Sequence, residues 1–266
     1  MNLGHLLLRL FFPLLICTFV HTTLAADPDS LIIARAGGIP ILLTVPHGGT
    51  ASVSGVSQRV RGTTSSDTYT IELAEGLAKH LGIALGAQPY VVAARFSRKY
   101  IDANRAEAEA FESPEAKPAY DAYHNQIRLF ISQIKEQFPQ GALLLDVHGQ
   151  SDDPGVVHRG TGNGATVAAL IKNHGPSALS GPNSIFGVVQ SKGYKVFPQN
   201  TPIGEPPEDR RFNGGYTVRR YGSSRPDGLD AIQIEPGRYL RTDSKFIAAL
   251  AEGIVTFHKT YLAPKR

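Results

Sequence analysis

The sequence predicts a three-layer α/β/α domain on a mostly parallel, mixed sheet, and three observations lead there. Strand-like apolar runs alternate along the chain with amphipathic stretches of helical spacing, the pattern of strand–helix crossovers. The run ALLLDV, 142–147, is apolar almost throughout, which suits a central strand covered on both faces, as parallel strands are. Finally, three such runs end in ionisable side chains, in TVPHGG, LLLDVHGQ and AIQIEPGR. In open α/β sheets, ligand sites gather beyond the carboxyl ends of the strands.

Taken in order, LIIARAG and IPILLTVPH read as two strands joined at Gly37 and Gly38, the second ending at Pro46 and His47. A polar loop runs to Ser66. From Asp67 a helix is predicted, because Ile71, Ala74, Leu77, Ala78 and Leu81 recur at helical spacing and Gly82 ends the run. YVVAARF is the next strand, followed by SRKYIDANR. A second helix spans about 118–138, with Tyr120, Tyr123, Ile127, Phe130, Ile131 and Ile134 on one face and Pro139 closing it. After ALLLDV come a short strand at GVVH, a glycine-rich turn, helices near 166–173 and 182–192, a strand at YKVFP and a Pro-rich loop around PIGEPPEDR. GGYTVRRYG receives no element. The strand DAIQIE and a helix over 244–261 finish the chain, with no internal repeat and no linker between domains.

Residues 1–25 are read as a secretory signal peptide and 26–266 as a single catalytic domain. Arg9 is the one charged residue before Asp27, the apolar run LLLRLFFPLLICTFV is short for a membrane span, and TTLAAD supplies small residues where a signal peptidase cuts. A secreted or periplasmic location follows as an expectation, with no membrane attachment after cleavage. The single cysteine, Cys17, lies in that segment, so disulfides, thiolate catalysis and zinc–thiolate sites are excluded from the remainder. The net charge is only +4 and the basic residues are scattered, which argues against a nucleic-acid partner and for a small-molecule substrate.

A secreted chain with strand-end histidines, carboxylates and no thiol points to zinc held by nitrogen and oxygen with one position left for water. His47 and His148 supply two ligands, and the third has to be a carboxylate. Neither HExxH nor HxxE is present, since Thr50 stands where the glutamate after His47 would be. Asp67 is the best substitute. As the residue opening a helix it reads equally as an N-cap. With a strand period of two, Asp146 shares a face with His148, and Gln233 with Glu235. Asp146 suits a partner for the distal ring nitrogen of a metal-bound histidine. Asp102 reads as holding its loop or touching substrate. The serine elbow GxSxG is absent, which disfavours a seryl acyl-enzyme. The run GTGNGAT, 160–166, lacks the lysine of a phosphate loop.

HGG after an apolar strand, SSDTYTIEL opening a helix, SRKYIDANRAE, LLLDVHG, GGYTVRRYG and AIQIEPGRYL, in this order, resemble the N-formylglutamate amidohydrolase family from about Ile41 to Leu240. The resemblance implies a zinc-carboxypeptidase-like fold and metal-dependent hydrolysis of the amide of an N-acyl amino acid or small acidic amide. It implies one divalent ion, zinc, on His47, Asp67 and His148, with Glu72 as the fallback for Asp67, and Glu235 as general base. Asn104 and Arg105 would grip a substrate carboxylate, a task that suits the planar guanidinium fork. Arg98, His158, Arg219 and Arg220 rank next as pocket residues. The same ligand set accepts manganese, iron or cobalt. Two other readings stay open: a zinc carboxypeptidase or peptidoglycan amidase acting on short peptides, and a non-catalytic binding protein on the same fold.

Overall fold

The computed structural model describes residues 27–200 and 207–263. The assigned signal segment lies outside these residues, as does much of the Pro-rich loop. In chain order the strands and helices are β1 (Ile32–Arg35), β2 (Ile41–Val45), α1 (Thr70–Leu85), β3 (Tyr90–Ala94), α2 (Glu107–Ala110), α3 (Lys117–Gln137), β4 (Leu143–Val147) and β5 (Val156–Gly160). They continue with α4 (Ala168–His174), α5 (Ser177–Ser180), α6 (Ile185–Ser191), β6 (Lys195–Phe197), α7 (Tyr216–Tyr221), β7 (Asp230–Pro236) and α8 (Ser244–Phe257).

The seven strands form one sheet in the order β1-β3-β2-β4-β7-β5-β6. β3, β2, β4 and β7 run parallel at its centre. β1 pairs antiparallel with β3 at one edge, and the parallel pair β5–β6 joins β7 in the antiparallel sense at the other. β4 is the middle strand and all five of its residues are buried, as its apolar run predicts.

Strand alternation sorts the core into two layers. Ile41, Leu43, Val45, Leu143, Leu145, Ile232 and Ile234 point to the face covered by α1, α6 and α8. Leu42, Leu144, Val92 and Ala231 point to the face covered by α3, where Val218 and Tyr221 of α7 also pack. Each fully buried aliphatic side chain contributes about 1.5–3 kcal/mol by leaving water, so these two layers dominate the stability of the sheet. All six residues assigned to the inner face of α3 are buried. The buried face of α1 centres on Leu73, Leu77 and Leu81, and Ile71 sits half-buried at its margin.

Two expectations need correction. α7 lies in GGYTVRRYG, where no helix was expected, because six residues between glycines are too few to show a 3.6-residue period. Helix α1 begins at Thr70 rather than Asp67, and its N-cap residue is Tyr69, in a left-handed conformation with φ 65° and no side-chain capping bond. Asp67 is therefore not the cap.

Candidate functional site

The chain passes from β2 to β3 on one side and then crosses to β4 on the other, so the carboxyl ends of β2 and β4 border a topological switch point. His47 follows β2 by two residues, His148 follows β4 directly, and Glu235 lies near the end of β7, the other neighbour of β4. Three residues far apart in sequence thus stand side by side. Below them Thr44, Asp146 and Gln233 pair across the three strands. The glycines after His47 are sterically required. A Cβ on Gly48 would press on Thr70 and Ile71 of α1, and one on Gly49 would press on the backbone of Arg95. Asp67 reaches the same place from the loop before α1, pinned by its N–H donating to the His47 carbonyl at 3.0 Å.

The three side chains present a triangle of acceptor atoms. His47 Nδ1 and His148 Nδ1 are 3.1 Å apart, and Asp67 Oδ2 lies 3.3 Å from the first and 3.1 Å from the second. The opposite ring nitrogens are already engaged: His47 Nε2 with Asp102 Oδ1 at 2.7 Å, and His148 Nε2 with Asp146 Oδ2 at 2.9 Å. A carboxylate can only accept, so each ring proton resides on Nε2 and each Nδ1 turns a lone pair inward. Two lone pairs and a carboxylate oxygen facing one point repel unless positive charge lies between them. A tetrahedral ion with bonds of about 2.0–2.1 Å to nitrogen and oxygen has ligand–ligand edges of roughly 3.3–3.4 Å, close to the observed triangle. His47, Asp67 and His148 are also the one group of potential ligands among the described residues whose donor atoms converge within metal-binding range.

The electrostatics respond to the same geometry. Burial opposes ionisation of Asp67, but hydrogen bonds to His148 and His47 outweigh it and hold the carboxyl well below the usual range. Asp102 is lowered against its burial by His47 and then by Arg98, whose Nε donates to Asp102 Oδ2 at 2.9 Å. Burial disfavours the cationic form of His148, yet Asp146 and then Asp67 raise its pKa well above the ordinary imidazole value. Glu235 goes the other way. Burial pushes it up to about 7, Asp67 and Asp146 add to the rise, and His148 opposes it. Its Oε1 lies 4.0 Å from His148 Nδ1, so a cation in the triangle would favour its ionised form.

The site opens into a cleft of about 760 Å³. Arg105 is exposed on its wall, makes only a weak bond to its neighbour's carbonyl, and pairs with no carboxylate among the described residues. Asn104 is buried: its Oδ1 accepts from Thr217 N at 2.8 Å, and its Nδ2 packs 3.1 Å from His148 Nε2. Arg98 lines the cleft between Asp102 and Asp67, 3.7 Å from Asp67 Oδ1. Arg219 lines the cleft too, whereas Arg220 pairs with Asp227 outside it. His158 sits behind the wall, bonded to Asp153 and packed on Phe212. Glu72 is on the exposed side of α1, away from the triangle.

Three further residues reach the site. Asp102 orients His47 as Asp146 orients His148, a role that could not be read from YIDANR because it requires β3 to lie beside β2. Gln233 accepts from Gly215 N at 2.6 Å and donates to Glu235 Oε1 at 2.9 Å, which braces the glutamate. Shared strand face with Glu235 was its only signal. Arg241 is buried against Gly149, and its Nη1 donates to the Thr68 carbonyl beside Asp67. No sequence feature singled it out.

The resemblance read from the sequence is shown by comparison with known proteins: residues 39–119 match the family model described as N-formylglutamate amidohydrolase. No curated protein matches the chain. Among solved structures, the fold is shared with an N-formylglutamate amidohydrolase from Ralstonia eutropha JMP134 at TM-score 0.58 and 16% identity, over 86% of this chain and 96% of that one. It is shared also with a gene product of Agrobacterium tumefaciens at TM-score 0.56 and 15% identity, over 87% and 93%. At these identities the likeness establishes the fold.

Proposed function

We propose that this chain is a metal-dependent amidohydrolase that cleaves the amide bond of an N-acyl amino acid or small acidic amide. The observation that carries the reading is the inward-facing triangle of His47 Nδ1, His148 Nδ1 and Asp67 Oδ2 beside a buried carboxylate, Glu235. His47, Asp67 and His148 would hold one divalent ion, taken as zinc. When bound, that ion supplies Lewis acidity toward the amide carbonyl and lowers the pKa of a coordinated water.

The chain's own residues do the rest. Glu235, held by Gln233 Nε2, takes a proton from the attacking water and returns it to the leaving amine. Its raised pKa suits a group that must both accept and donate near neutrality. Arg105 offers two parallel N–H donors to a substrate carboxylate, and Arg98 adds positive charge on the same wall. Both orient the amide so that attack on it is effectively intramolecular. Asn104 packs behind His148, its Oδ1 accepting from Thr217 N of the α7 segment. The brace on Glu235 argues against a binding protein that has lost its chemistry. A secreted or periplasmic setting fits a substrate range that includes short peptides and cell-wall fragments, the carboxypeptidase or peptidoglycan amidase reading.

The test is a chelator and metal-readdition assay over N-formyl, N-acetyl and dipeptide substrates. Hydrolysis lost with chelator and restored by zinc is the expected result. Undiminished turnover in chelator, or none on any amide with zinc bound, would overturn the reading.

A further inference from the structure

A second cavity of about 450 Å³ adjoins the cleft, and Asn213 and Arg219 line both. Arg219 stands at the junction, with Nε donating to the Gly214 carbonyl at 2.9 Å and Nη2 to Asn213 Oδ1 at 3.1 Å. Those bonds fix the guanidinium and leave further N–H donors of its fork for a ligand. Beyond it the lining holds a second guanidinium, Arg225, and, among the described residues, no carboxylate. Arg225 pairs with no acidic group among the described residues. Two arginines without a counter-charge among the described residues, beside Asn163 and Ser224, form a place for an anionic oxygen group.

The floor of this cavity is built rather than loose. Gly162, Asn163 and Gly164 are successive left-handed residues, with φ of 59°, 54° and 93°. The amides of Thr161 and Asn163 donate to Glu208 Oε2 at 2.8 and 2.9 Å, Thr161 Oγ1 donates to Oε1 at 2.6 Å, and Arg159 Nε reaches Oε1 at 3.3 Å. The glycine run GTGNGAT does bind an anion, but it is the chain's own buried carboxylate. Glu208 therefore holds the loop in shape from beneath, and its backbone N–H donates to Asn163 Oδ1 at 2.9 Å.

We propose that the second cavity is a subsite for a carboxylate on an acidic oligoamide, a chain whose scissile amide lies at the His47–His148 site while the next unit extends past Arg219 to Arg225. The inference rests on the proposed hydrolase reading and names its substrate class: a linked acidic chain rather than a single acylated amino acid.

The test reads binding without turnover. Full-length, zinc-loaded protein carrying Glu235→Gln is titrated calorimetrically with N-acetylglutamate and N-acetyl-triglutamate, and again with Arg225→Glu added. Because Arg225 is an exposed loop residue, the second substitution leaves folding intact, which circular dichroism verifies. The expected result is about tenfold tighter binding of the longer ligand, about 1.4 kcal/mol, and loss of that gain with Arg225→Glu. An equal gain in both proteins, or no gain in either, would overturn the subsite. Inorganic phosphate competing equally against both ligands would also overturn it, by marking a free-anion site. Failure of the Glu235-bearing protein to hydrolyse any amide would instead remove the proposed reaction.

Discussion

His47 Nδ1 and His148 Nδ1 lie 3.1 Å apart, while the other nitrogen of each ring rests on its own buried aspartate, Asp102 or Asp146. The two imidazoles are oriented as a pair, and the orientation makes sense only with a positive charge between them.

Removing either orienting aspartate should weaken the metal while sparing the fold. With Asp102→Asn or Asp146→Asn the ring proton is no longer held on Nε2, and partners of this kind are worth about 10–100-fold in metal affinity. Competition with a chromophoric zinc chelator measures it. His148→Ala removes a donor atom outright, and elemental analysis should then find no stoichiometric zinc. Full occupancy in that variant would sink the ligand assignment.

Glu235→Gln should lower kcat by about 10²–10⁴-fold with zinc content unchanged, the range expected for loss of a positioned general base. Gln233→Leu should lower kcat less and leave Glu235 in place, because it removes the brace rather than the base. A Gln233 variant as damaged as the Glu235 variant would mean that the glutamine itself acts on substrate.

The metal-free protein should lose stability as pH rises toward 7 and beyond. Burial raises the folded pKa of Glu235 to about 7, above the ordinary glutamate range. The folded state therefore binds its proton more tightly than the unfolded chain does. That contribution is complete below about pH 4.5 and disappears as pH climbs through about 7. Glu235→Gln removes the penalty, so thermal melts of chelated protein should show the variant more stable than wild type at pH 8, by on the order of 3 kcal/mol. At pH 4.5 the difference should be small. Zinc should abolish the pH 8 difference by favouring the carboxylate.

Tyr69 holds φ 65° with its side chain largely exposed, between Asp67 and the first turn of α1. A left-handed non-glycine residue costs about 1–2 kcal/mol. Glycine relieves that cost while adding roughly 0.5–1 kcal/mol of unfolded-state entropy. Tyr69→Gly should therefore raise the melting temperature slightly, and Tyr69→Val should lower it. A drop in both would show that the Tyr69 ring, not its backbone, supports the loop.

Much of the architecture was legible because it is encoded locally. Period-two alternation placed Asp146 with His148 and Gln233 with Glu235, and glycine after each histidine marked where a strand ends. The 3.6-residue repeat placed six residues of α3 on its buried face correctly and left out Ala119 and His124, which are buried there too. α7 escaped because six residues do not establish a period.

What the sequence by itself determined was the set of strands, the chemistry at their carboxyl ends and the face on which each side chain stands. Only the tertiary structure decided that Asp67 completes the triangle instead of capping α1, that Asp102 serves His47, and that Arg219 joins two cavities. The physical reason is that periodicity encodes which way a residue points, whereas coordination depends on which strands are neighbours. The order β3-β2-β4-β7, set by packing of the whole sheet, brings atoms from residues 47, 67, 102, 148 and 235 into one place.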